Sequence, residues 1–101
     1  MTVSPPERLR REAKFKELTL VLERTRIPER MHDGLLRYVL HHIKPGDFLT
    51  AVLRNDLRAA ISKADDENKH LLFDYVAFIH NRAPGSCWGS YDAVEVWLKE
   101  E

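Results

Sequence analysis

Five histidines and one cysteine are the side chains in this 101-residue sequence best suited to binding a metal or to acting as nucleophile and base. His41 and His42 are adjacent, so on a helix they point about 100° apart and do not reach one ion from a single face. His80 and Cys87 are separated by a turn, and no second cysteine is present to complete a structural zinc site. The HExxH spacing is missing as well. A Cys87 nucleophile would take His80 or His70 as its base, but no third group stands out to orient either ring. A lone cysteine among small residues is more simply a packed apolar side chain. Asp65, Asp66 and Glu67 fall at a helix start, where capping and the helix dipole account for them. No glycine-rich phosphate loop surrounds Gly85 or Gly89. The expectation is a protein that is not an enzyme, with no catalytic, cofactor or metal residues.

Two sets of binding residues remain. Residues 1–30 carry eight Lys/Arg against five Asp/Glu, and residues 31–101 carry eight against eleven, so a basic arm joins an acidic body although the net charge is zero. Arg8, Arg10, Arg11 and Lys14 are the arm's candidate phosphate contacts for nucleic acid. Glu7, Glu12, Glu17 and Glu23 interleave with them at intrahelical pairing distances, the pattern of a solvent-facing helix. In the body, Trp88 sits in a turn and is the candidate anchor for a protein partner, because tryptophan is enriched among binding hot spots. Asn55, Asp56 and Asn81 accompany it. Asn55-Asp56 is expected inside a helix despite weak helix propensity, and a structural reading has one of them pin the turn before the last helix.

The elements that would position these residues are punctuated by proline, glycine and aspartate. Pro5-Pro6 opens a helix running to about Arg26, and Ile27-Pro28 interrupts it. A second helix runs from about Pro28 to Ile43, with Gly34 permitting close packing. Lys44-Pro45-Gly46 stops it, and Asp47 is the expected cap of a third helix over Phe48–Lys63. Its apolar stripe includes Phe48, Leu49, Val52, Leu53, Leu57, Ala60 and Ile61. A fourth helix reaches about Arg82 and buries Leu71, Leu72, Tyr75, Val76 and Ile79. Ala83-Pro84-Gly85-Ser86 is turn chemistry, and Ser90 caps a short closing helix that must dock through Trp97.

A chain of this length supports a single core. The pattern predicts an all-α fold, a compact irregular or orthogonal bundle of about five helices, with residues 1–26 as a basic N-terminal helix and 27–101 as the bundle. The single cysteine suits a reducing compartment, and no secretory or membrane-spanning run is visible. The expected setting is cytoplasmic, with no membrane partner.

The stretch FLTAVLRNDL (Phe48–Leu57), the block ADDENKHLLFDYVAFIHN (Ala64–Asn81), the turn APGSCWGS (Ala83–Ser90) and the ending Val94, Trp97, Leu98 are shared with a known pattern. Over Ile27–Leu98 the chain resembles a family of small accessory proteins encoded by tailed phages and prophages. No catalytic residue comes with that resemblance. It implies expression in the cytoplasm of a bacterial host and action on a host or phage protein, such as a host enzyme or defence system. The leading expectation is therefore a protein–protein interaction, and the alternative is a nucleic-acid-binding accessory factor using the N-terminal helix.

Overall fold

The computed structural model describes residues 5–100. Among them the chain forms seven α-helices and one 3-10 turn, with no strand: α1 Pro5–Glu23, α2 Glu29–His41, α3 Asp47–Leu53, α4 Leu57–Lys63, α5 Asp66–Lys69, α6 Leu72–Arg82, the turn Gly85–Cys87, and α7 Tyr91–Lys99. None of the described helices is long and apolar enough to cross a membrane. The all-α expectation holds, but two of the five expected helices are each divided.

The expected third helix breaks at Asn55, which adopts the left-handed conformation at φ 60°. The N–H groups of Asn55 and Asp56 return to the carbonyls of Val52 and Ala51, both at 3.0 Å. This is a Schellman closure, and asparagine is among the few side chains that tolerate its left-handed position. Asp56 then caps α4 by accepting from the Ala59 N–H at 3.0 Å. Asn55-Asp56 is thus a stop and a start, not a helix interior. The expected fourth helix breaks at His70-Leu71, where N–H groups bond three residues back, to Glu67 and Asn68. Asp65 caps the one-turn α5 through the Asn68 N–H at 2.8 Å. Asp47 is also corrected: it is the first residue of α3, and Gly46 is its cap without a side-chain bond.

One hydrophobic cluster joins every long element. Leu18 and Leu22 of α1 lie in it with Leu35 and Tyr38 of α2, Leu53 of α3, Tyr75 and Ile79 of α6, Cys87 and Val94. The N-terminal helix therefore packs on the bundle along its second half, and Thr25 ends it by donating its hydroxyl to the Leu22 carbonyl at 2.7 Å. Gly34 brings α2 against α3, since a Cβ there would stand 3.3 Å from Leu49. Asn68, the one buried amide side chain among the described residues, accepts the Tyr75 hydroxyl at 2.6 Å, so neither polar group is left dry.

The closing helix α7 has nine residues and would be marginal alone. Ser90 caps it through the Ala93 N–H, and Trp97 docks it on α2. The Trp97 indole N–H donates to the Tyr38 carbonyl at 2.7 Å, while its ring stacks on His42 at 4.0 Å between centroids. Trp97→Ala loses both contacts and opens a void, so its expected cost is about 3 kcal/mol, read as a lowered denaturant midpoint.

Candidate functional site

The residues expected to bind a partner differ in how far the fold engages them. Asp56 is engaged within the fold: its carboxylate caps α4 and also receives the Tyr91 hydroxyl from α7. These two donors hold the Asp56 carboxyl below its ordinary range, the phenol contributing most, and the same bond pushes the Tyr91 phenol up. The Arg54 guanidinium lies over the Tyr91 ring at 4.7 Å and reaches Glu95 at 3.6 Å. Nearby, the Gly89 N–H donates to the Leu53 carbonyl at 2.7 Å. The turn between α3 and α4 thus clasps the start of α7, through a phenol and a guanidinium as well as a backbone bond. Asn55 is exposed at the same turn.

Trp88 is half-buried against the core, with its ring edge-on to His80 at 6.3 Å. Asn81 is exposed and lines a shallow concavity with Arg24, Arg26 and Asp74, where Arg26 pairs with Asp74 at 2.9 Å. Trp88 is thus next to His80, the chain neighbour of Asn81, and next in the chain to Gly89, which bonds the turn that carries Asn55. Cys87 is fully buried, and desolvation pushes its thiol up to about 11. A thiol so held is almost wholly protonated at neutral pH and supplies no thiolate for attack. Among the described residues no group of three or more His, Cys, Asp or Glu is placed to hold a metal ion.

The surface the sequence did not reveal is apolar. Leu57 and Ile61, expected in a buried stripe, are 64% and 45% exposed, and Phe73 is 80% exposed. The break at Asn55 explains the first two: it restarts the helix in a new direction, so only Ala60 of α4 is fully inside. Leu57 and Ala60 share a small hollow with Leu72 and Val76 of α6. Helices α4 and α6 meet at this hollow; Ile61 is one turn beyond Leu57 and Phe73 is next to Leu72 in the chain.

The basic residues of α1 divide across two concavities that flank the helix. Arg8 and Arg11 join Phe15, Lys16 and His41 in one, together with Glu12. Arg10, Arg11 and Lys14 join Glu7 and His42 in the other, and Lys14 pairs with Glu17 at 3.2 Å. Acid is interleaved in both. Comparison of the chain with protein-family models, with curated proteins and with solved structures yields no match.

Two measurements check this geometry. Asp56 is depressed in the fold, so its contribution is present above the ordinary aspartate range and is lost as pH falls through its lowered value. Asp56→Ala should therefore lower the thermal midpoint at neutral pH, with the gap to the native chain narrowing in acid. The Cys87 thiol should resist alkylation until denaturant unfolds the chain, and rapid labelling of the native protein at pH 8 would contradict its burial.

Proposed function

We propose that this chain is a small accessory protein of phage type that acts by protein–protein interaction, through the apolar surface of α4 and α6. The observation that carries the reading is Phe73, 80% exposed and accompanied by Leu57 and Ile61 on adjoining helices. Single exposed apolar residues are ordinary, but several large ones on neighbouring elements mark interaction sites. Burying a phenylalanine fully is worth roughly 1.5–3 kcal/mol, enough for Phe73 to serve as an anchor. Exposed Arg58 and Lys63 supply a polar rim on α4. Trp88 packs edge-on against His80, toward the opposite end of α6 from Phe73. The resemblance to phage and prophage proteins supplies the setting: a bacterial cytoplasm, with a host or phage protein as partner.

A nucleic-acid-binding factor is the second reading, favoured by the concavity that gathers Arg8, Arg11, Lys16 and His41 around the half-exposed Phe15. It requires affinity that falls steeply with salt and a slope that flattens when Arg8, Arg10 and Arg11 become alanine.

The two readings part in one experiment. With the tagged chain used to capture partners from bacterial lysate, Phe73→Ala and Leu57→Ala should each leave the thermal midpoint nearly unchanged. Phe73→Ala should weaken capture by about 2 kcal/mol or more. Capture indifferent to both substitutions and lost with the arginine variant would overturn the first reading for the second.

A further inference from the structure

We propose that the groove between α1 and α2 is a self-association surface, covered by a second copy of this chain across a two-fold axis near Phe15. The inference is independent of the α4–α6 surface. Helix α1 runs antiparallel to α2: its early residues Arg8 and Arg11 face His41 at the end of α2, and its late residues Leu22 and Glu23 face Glu29 and Asp33 at the start. Two concavities of about 510 and 490 Å³ follow one another along this seam, and Phe15, 48% exposed, lines both. The first carries Arg8, Arg11 and Lys16 against the single acid Glu12. The second carries Glu23, Glu29 and Asp33 with His32, Asp33 also pairing along α2 with Arg37 at 3.0 Å. The groove is thus positive at one end, aromatic at its middle and negative at the other.

That order is self-complementary. A two-fold contact brings the same patch of both copies together in reverse, so a positive end meets a negative end twice and Phe15 meets Phe15 at the axis. From Arg8 to Glu23 the helix rises about 22 Å, at about 1.5 Å per residue. Screening falls off over about 8 Å at physiological salt, so the two ends of one copy do little to neutralise each other. Each end therefore keeps its own predominant sign. The zero net charge of the chain removes the long-range repulsion that would otherwise keep identical copies apart. A nucleic acid strand laid along the same groove would leave the arginines and run onto Glu23, Glu29 and Asp33, so polyanions fit only half of it.

Sedimentation of the full chain tests the proposal. At low ionic strength the protein should be dimeric, and the dimer should dissociate as salt rises. Arg8→Glu with Arg11→Glu makes both ends acidic, and Glu23→Lys with Glu29→Lys makes both basic; each variant alone should be monomeric. Mixed one to one, the two should form a heterodimer. Phe15→Ala, which leaves the charges intact, should weaken the native dimer about tenfold or more, with circular dichroism confirming the fold of every variant. A native chain that stays monomeric at low salt would overturn the proposal. So would a dimer that persists in both charge variants, or one lost with Phe73→Ala. Salt-sensitive binding of a single-stranded oligonucleotide by a monomer would assign the groove to nucleic acid.

Discussion

The fold depends on how residues 87–99 are held to the end of α2. The Tyr38 hydroxyl, fully buried, donates to the Cys87 carbonyl at 2.7 Å, and the Tyr38 carbonyl receives the Trp97 indole N–H. His42 completes the set by donating from Nδ1 to the Trp97 carbonyl at 2.7 Å while its ring stacks on the indole. One tyrosine thus serves both the turn before α7 and the helix itself. The left-handed conformation of His42, at φ 58°, ends α2 and sets its imidazole at this junction. Burial pushes the Tyr38 phenol well above its ordinary value, so the donor is protonated under all ordinary conditions. Without these bonds α7 is a nine-residue helix with one fully buried side chain, Val94.

A second clasp holds the start of α7, and it engages Asp56, a residue the sequence offers for binding. Arg54, Asp56, Tyr91 and Glu95 form a connected set at a half-exposed seam. Exposed ion pairs contribute little individually, but here the contacts also carry a helix cap and an aromatic face. Their work is to orient α7 relative to the turn at Asn55. Of the polar residues singled out in the sequence, Asp56 is thereby engaged within the fold, while Asn55 and Asn81 stay exposed.

Much of the architecture could be read from the sequence, and the failures have a common cause. Pro28, Gly46 and the Ala83–Ser86 turn interrupt hydrogen bonding or backbone geometry by covalent necessity, so the boundaries they set were legible. So was the Ser90 cap, and so was the docking role of Trp97. The apolar stripe continues in sequence through Leu57 and Ile61, which makes Asn55 and Asp56 look like interior helix residues. Yet asparagine at a left-handed closure followed by aspartate at an N-cap is itself a stop-and-start signal, and giving it weight would have divided the helix. The break at His70-Leu71 had no such signal: it rests on Asn68 reaching Tyr75 across the turn, a contact visible only in three dimensions. Phe73 lies off the apolar face of α6 in the sequence as it does in the structure, so helical periodicity assigns it no buried partner and gives no sign of its exposure as a binding anchor.

The charge pattern of α1 shows why composition alone misleads about partners. Counted along the chain, its cations make a basic arm. Placed on the helix, they divide between two concavities, each with its own glutamate, and the seam that continues from one of them turns acidic against the first turns of α2. A field that reverses sign within one helix length presents no sustained attraction to a polyanion, and what it fits best is a surface with the same reversal. The half-exposed Phe15 lies where the two signs meet, lining both concavities, so apolar contact there strips solvent from an aromatic ring and not from a charge.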